Sequence, residues 1–253
     1  MQLLRRTALV LMGGLLALLP TALGAQDVAR VYLFTPMAGK SAAFEQSIKT
    51  HSAWRRQAGD PWTWEVYSVE TGPHAGSYLV GSWGHTWADL DAYEAGFGPK
   101  GGARFETDVD PLLASWTSWI QIGDTANQSL PQADEDYNLV TVILYYVKPD
   151  KERAFQSAVS AVSKAIANNN YPVHYVWFTP EDGGRGPVRG LAIFNKNWAG
   201  FQERDPNLLQ VVTKEYGSAM TDHILQDFTG SYYGLESAVM RRRPDLSVTH
   251  QGH

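Results

Sequence analysis

The chain has 253 residues, 21 Lys or Arg against 26 Asp or Glu, a formal net charge of −5 at pH 7 and no cysteine. That balance argues against a general nucleic-acid binder, which carries a basic face. The missing cysteines exclude disulfides and thiol nucleophiles.

The chain opens Met1-Gln-Leu-Leu-Arg-Arg6, continues apolar through Thr7–Leu19, and passes Pro20 into small residues at Ala22, Gly24 and Ala25. A charged start, a short apolar run and small residues at the end make residues 1–25 a secretory signal peptide. The apolar run falls short of the roughly 20 residues that a spanning helix needs. A secreted or periplasmic protein with no membrane span after cleavage is therefore expected. With no disulfide available, its fold must rest on its core alone.

Beyond the leader the chain repeats itself. Shifted by 111 positions, residues 31–88 match 142–199 without a gap. Val31 meets Val142, Ala43-Phe44 meets Ala154-Phe155, Ser52 meets Ser163, Pro61 meets Pro172, and Trp87-Ala88 meets Trp198-Ala199. With one residue of slip the match resumes at Asp110/Asp222, Leu113/Leu225 and Thr117/Thr229. Two such copies are too few and too long for a solenoid.

Each copy reads alike in chain order. A strand rich in β-branched and aromatic residues opens it, at Arg30–Phe34 and again at Leu139–Tyr146. A helix follows, with Phe44, Ile48 and His51 on its stripe in the first copy and Phe155, Val159, Val162 and Ile166 in the second. Two strands flank a Gly-rich turn: Trp62–Val69 with Ser77–Trp83, then Val173–Phe178 with Val188–Phe194. A second helix starts at Thr86-Trp87 or Asn197-Trp198, where Thr and Asn are capping residues and the tryptophans are expected to pack onto the sheet. The last strands are expected at Ser115–Ile122 and Asp227–Tyr233. The domain plan is thus a first repeat over 28–122, a solvated acidic linker over 123–137, a second repeat over 138–236 and a polar tail over 237–253, with Arg241–Arg243 solvated.

The order β-α-β-β-α-β is the ferredoxin-like unit, whose sheet carries helices on one face only. Strands such as Val140–Val147 are apolar at nearly every position, which implies burial on both faces. The expected fold is α+β: two tandem ferredoxin-like repeats packed sheet to sheet as a pseudo-dimeric α/β barrel. In topology and spacing, residues 30–235 resemble the dimeric α/β-barrel superfamily, which includes antibiotic-biosynthesis-type monooxygenases, NIPSNAP-like proteins, muconolactone isomerases and haem-handling enzymes. The resemblance implies fold, and carries no family-specific catalytic signature.

The repeat also serves as an internal control: positions that diverged between copies are where function specialises. His51 stands opposite Val162, so a polar ring sits where the second copy buries valine. It is the candidate catalytic base or haem ligand. Seven of the nine tryptophans fall in the first copy. Trp62, Trp64, Trp83 and Trp116 face Val173, Tyr175, Phe194 and Phe228, whereas Trp54 and Trp119 face Ala165 and Ser231. These six, together with His85, are the candidate ligand-binding residues. His85 pairs with Lys196 and is expected in an exposed loop, with a ligand role only if that loop rims a pocket. No H-x-H, H-E-x-x-H, Asp-rich calcium loop or G-x-S-x-G elbow occurs, and no metal site is expected. The glycines at 183, 184 and 186 lie in a hairpin, not in a phosphate loop.

Three function classes follow. The favoured one is a small-molecule binder with a Trp-rich pocket in the first repeat for an apolar or aromatic ligand, lined by His51, Trp54, Trp62 and Trp64. The second is a cofactor-independent oxygenase or isomerase with His51 as base, or a haem-handling enzyme with His51 as axial ligand. The third is a structural or interaction protein with a closed core.

Overall fold

The computed structural model describes residues 27–132, 135–183 and 186–249. The expected signal peptide lies outside these residues, as do His250 and His253. The first repeat comprises β1 (Asp27–Pro36), α1 (Ser41–Gln57), β2 (Glu65–Val69), β3 (Tyr78–His85), α2 (Trp87–Ala95), α3 (Gly98–Asp108) and β4 (Leu113–Ser129). The second comprises β5 (Leu139–Val147), α4 (Glu152–Asn168), β6 (His174–Asp182), β7 (Val188–Asn195), α5 (Leu208–Tyr216), α6 (Ser218–Gly230) and β8 (Tyr232–Arg242). The 111-position shift carries α1 onto α4 from first residue to last. Where α2 and α5 begin, Thr86 with Asp89 and Asn207 with Gln210 form reciprocal capping boxes. No described helix is long and apolar enough to cross a membrane.

The eight strands close into one barrel in the order β1-β3-β2-β8-β5-β7-β6-β4. Within it each repeat keeps the ferredoxin-like order of fourth, first, third and second strand. The repeats meet at two antiparallel seams. In one, Tyr67 pairs with Arg242 and Val69 with Met240; in the other, Ile122 pairs with Thr179 and Gly123 with Phe178. Closure leaves neither sheet an open edge. It also buries the helix-free faces together: Tyr67, Val69, Val140, Phe178 and Met240 pack inside the barrel with Leu33, Trp83 and Phe194. Outside it, α1 to α3 cover the first sheet around Phe34, Phe44 and Ile48. The second sheet buries Tyr145, Phe155 and Val159 beneath its own helices.

Several boundaries differ from the sequence reading. The second helix of the second repeat does not start at Asn197-Trp198, where only a short 3-10 turn runs over Trp198–Phe201 without a side-chain cap; α5 starts ten residues later at Leu208. Most of the segment Asp227–Tyr233 is helix, and only Tyr232 and Tyr233 belong to a strand, β8. Residues up to Gly230 finish α6, which sets Ile224 and Phe228 against Ala158 and Ala165 of α4. Packing of that helical face overrides the β propensity of its aromatic residues. The last strands therefore align with a shift of 119, since Phe34 pairs with Trp116 and its counterpart Tyr145 pairs with Leu235. By the same shift, Trp119 matches Ala238. The acidic linker is shorter than expected, because β4 continues to Ser129, with Gln128 opposite Val176 and Ser129 opposite Tyr175. A polar segment becomes strand here because the seam offers it the unpaired groups of β6.

The polar tail is part of the fold. Residues 237–242 belong to β8, and Leu246 and Val248 are each 1 % exposed. Arg241–Arg243 are not a solvated run: Arg242 donates to Glu65 (2.8 Å), and Arg243 donates to both Glu45 carboxylate oxygens (2.6 and 2.9 Å). The segment after β8 lies against the first repeat. Ser52 donates to the Leu246 carbonyl at 2.6 Å, and Trp64 and Val248 exchange backbone hydrogen bonds at 2.9 and 2.8 Å. Truncating a leucine buried to this degree costs about 2–5 kcal/mol. Leu246→Ala is expected to lower the stability measured by denaturant unfolding by that amount. A loss below about 1 kcal/mol would place Leu246 outside the core.

Candidate functional site

In the first repeat, side chains alternate along β1, so that Tyr32 and Phe34 face the helices while Val31 and Leu33 face the barrel interior. Between that sheet face and α1 with α3 lies a half-open cleft of about 810 Å³. Its walls are aromatic, formed by Tyr32, Phe34, Trp64, Phe105 and Trp116, with Ile48, Val66 and Val80 among the apolar remainder. Tyr32 stacks on Phe34 (5.6 Å between centroids) and Phe34 on Phe105 (5.0 Å). Such volume and lining suit a small organic ligand.

His51 and Arg55 give the cleft its polar end. They are one helical turn apart on α1, and Arg55 Nε donates to His51 Nε2 at 2.8 Å. Arg55 Nη1 donates to Asp60 Oδ2 (2.5 Å) and to the Tyr93 hydroxyl (2.9 Å). The chain reverses after α1 at Gly59, whose φ of +76° favours glycine, and this returns Asp60 beneath the last helical turn. The Asp60 side chain has no exposure. It also accepts from the Trp62 backbone N–H (3.0 Å) and from Trp64 Nε1 (3.2 Å). The Arg55 guanidinium lies 5.2 Å from the Trp64 ring centroid, and Gly101 of α3 leaves room for it: a Cβ there would stand 3.1 Å from both terminal nitrogens. Arginine and tryptophan are thereby locked on a buried carboxylate.

This arrangement assigns the His51 tautomer. An arginine N–H can only donate, so Nε2 accepts and the ring proton sits on Nδ1. Nδ1 is buried and has no partner among the described residues. Burial, reinforced by the Arg55 charge, pushes the His51 pKa from 6.5 down to about 4. The ring is thus neutral near pH 7 and presents one unused N–H.

The structure brings His51, Trp64 and Trp116 together at the cleft, with Trp116 half exposed at its mouth. The other candidates lie elsewhere. Trp54 packs at a tilt against His51 (5.6 Å) and Phe97 (5.8 Å), beneath Lys100 and Arg104, outside the lining. Trp62 is buried between His85 and Tyr93, with both centroids at 3.9 Å. His85 is therefore not an exposed loop residue. It is half-buried, 2.7 Å from the Ser82 hydroxyl, and its pKa is lowered mainly by burial. Lysine at the matching position misled the comparison, because the second repeat has no stacked tryptophan there. Trp83 meets Tyr67 edge-on inside the barrel. Trp119, opposite Val31, also points inward and donates to Gln121 (3.0 Å). Trp87 and Trp198 do not pack onto the sheet, being 43 % and 51 % exposed. At Trp87 the Thr86 cap, not the indole, anchors the helix start.

Sequence reasoning missed Arg55, Asp60 and Tyr93. A signal existed for the first: Arg55 aligns with Ile166, so the replacement of apolar by polar at His51 recurs one turn later. In the second repeat Tyr145, Phe155, Trp177 and Phe228 pack into the corresponding space, with Phe155 stacked on Phe228 at 5.1 Å.

Three comparisons bear on this architecture. Among solved structures, a provisionally assigned monooxygenase from Lactobacillus acidophilus superposes with a TM-score of 0.57 at 12 % identity, over 88 % of this chain and 96 % of that one. At this identity the likeness is one of fold, a dimeric α/β barrel. An anthrone oxidase-like protein matches at 0.52 and 12 % identity, over 89 % and 94 % of the two chains. A mutant chlorite dismutase from Candidatus Nitrospira defluvii matches at 0.54 and 10 % identity, over 86 % and 92 %. Within this dimeric α/β-barrel both halves are repeats of one chain. No family model and no curated protein matches the sequence.

The lowered His51 pKa sets a pH dependence. Between pH 6.5 and about 4 the unfolded chain binds a proton at this residue that the folded chain does not. Stability therefore rises with pH across that window and is lost as pH falls through it, by about 3 kcal/mol from this group. His85 adds to the trend in the same direction. His51→Val, the residue of the second repeat, is expected to flatten the midpoint-against-pH curve between pH 4 and 6.5. An unchanged slope would sink the assignment.

Proposed function

We propose that the chain binds a flat aromatic small molecule bearing a hydrogen-bond acceptor in the cleft of the first repeat. The observation that carries this reading is the buried, unpartnered His51 Nδ1–H in an aromatic wall. A buried donor without a partner costs roughly 1–3 kcal/mol, which a ligand carbonyl or phenolic oxygen would recover. Trp64, Phe34 and Phe105 supply faces for stacking, and Trp116 stands at the entrance. Export, expected from residues 1–25, belongs to the proposal: the ligand would be met outside the cytosol.

The same geometry weighs against His51 as a catalytic base. Its Nε2 lone pair is taken by Arg55, its other nitrogen holds the proton, and a pKa of about 4 makes it a weak base at neutral pH. It weighs equally against His51 as an axial haem ligand, since neither nitrogen offers a lone pair. The similar structures named as an oxidase, a monooxygenase and a dismutase are 10–12 % identical to this chain, so the likeness reaches the fold alone. The open cleft weighs against a closed structural core.

A matched pair of probes tests the binding reading. Quenching of indole fluorescence by 9-fluorenone is expected to saturate, with tighter binding than for fluorene, which has the same shape without the carbonyl. In His51→Val the preference is expected to fall by about tenfold, the worth of one buried hydrogen bond. Equal affinities for the two probes in the native protein would remove the donor role. Addition of haemin is expected to give either no Soret shift or one that His51→Ala leaves unaltered. A shift abolished by that substitution would restore histidine ligation.

A further inference from the structure

The two repeats exchange terminal segments, and the exchange is unequal. After β8, residues 243–248 cross onto α1 and the start of β2; after the first part of β4, residues 124–129 cross onto α4 and β6. The shift of 119 that aligns β4 with β8 continues through both. Ser129 pairs with Tyr175 as Val248 pairs with Trp64. Gln156 donates to Asp124 (2.8 Å) where Glu45 receives Arg243. Asn127 and Ser129 thus stand where Leu246 and Val248 stand in the first repeat.

In the first repeat the apolar pair plugs the groove beside the helix, and Ser52 is satisfied by the Leu246 carbonyl. In the second, the equivalent groove is open and measures about 520 Å³. Asn127 turns aside to donate to Asp124 (2.8 Å). Ser163, the counterpart of Ser52, is 8 % exposed, and its hydroxyl has no partner. It lies beside the Tyr175 hydroxyl without reaching hydrogen-bond geometry. Lys164 and Tyr171 complete the polar lining, and Lys164 joins no ion pair among the described residues.

We propose that this groove is a second ligand site, distinct from the aromatic cleft, for a hydroxyl-rich small molecule of about monosaccharide size. The polar groups facing it are the unpartnered Ser163 hydroxyl, the neighbouring Tyr175 and Tyr171 side chains and the Lys164 ammonium. All can be served by a ligand that both donates and accepts, as sugar hydroxyls do. An apolar ligand would leave them unpaired, which disfavours it. The ammonium of Lys164 adds attraction for a sugar acid over a neutral sugar. The internal control makes the argument specific: the same backbone groove is filled with leucine and valine in one repeat and left open and polar in the other.

Saturation-transfer NMR on the full chain with D-glucose, D-gluconate and myo-inositol tests the site. Transfer to at least one of them is expected, with gluconate strongest. Asn127→Leu with Ser129→Val rebuilds the plug of the first repeat and is expected to weaken binding by about tenfold or more, with 9-fluorenone binding in the aromatic cleft unchanged. Ser163→Ala, which removes one oxygen, is expected to weaken it several-fold and decides the matter if the double variant fails to fold. Absence of transfer to all three probes at about 10 mM, a range that detects millimolar affinity, would overturn the proposal and leave a water-filled groove. Transfer that persists undiminished in the variants would overturn it too.

Discussion

A four-stranded sheet with helices on one face has a second apolar face to bury and two edges to pair, and each repeat meets both needs with the other. The seams β2–β8 and β4–β6 are therefore the constraint on which the rest of the molecule depends. Inside the barrel the side chains must fit one shared space, with Tyr67 and Met240 from opposite repeats in a single cluster. Dense packing there admits little change. Outside it, each set of helices covers its own sheet, and there the copies could diverge without disturbing the closure.

They diverged in what lies between helix and sheet. The second repeat fills the space with aromatic rings. The first replaces Val162 and Ile166 of the stripe by His51 and Arg55, and introduces a buried carboxylate at Asp60. A charge pair with side chains 13 % and 0 % exposed is expensive to assemble and more expensive to break, since loss of one partner leaves the other uncompensated, at about 3–5 kcal/mol. The pair holds because Asp60 is also bonded by the Trp62 backbone and the Trp64 indole. Its consequence for the cleft is indirect: Arg55 is held in place and fixes the proton of His51. The geometry that makes histidine a poor base is the same that leaves it one donor to offer.

The terminal segments extend this logic. Each passes a seam and lies on the helix of the opposite repeat, so the chain is knit by these segments as well as at the barrel edges. Where the segment carries Leu246 and Val248 it completes a core. Where it carries Asn127 and Ser129 it leaves space and the unpaired Ser163 hydroxyl. Polar composition alone suggested loops in both stretches. Backbone pairing partners made them strand or strap, because buried N–H and C=O groups must be bonded whatever the side chains.

By itself the sequence determined the duplication, the number of strands in each copy and the place of the first helix, the apolar periodicity of α1 and α4, and the inference that two bare sheet faces must meet. These follow from local rules, since a period of two or 3.6 residues is set by backbone geometry, and an internal match needs no coordinates. It also singled out His51, because a polar residue on a buried stripe is visible in the alignment. Only the tertiary structure decided which tryptophans share a space. Residues such as Trp62, Trp64 and Trp83 are near in sequence, yet Trp64 lines the cleft, Trp62 is sandwiched behind it, and Trp83 points into the barrel. A side chain's face depends on strand register, and register is settled by pairing across the whole sheet. The partner of His51 was likewise a tertiary matter: whether an arginine one turn away donates to it depends on the carboxylate that a glycine turn folds back beneath them both.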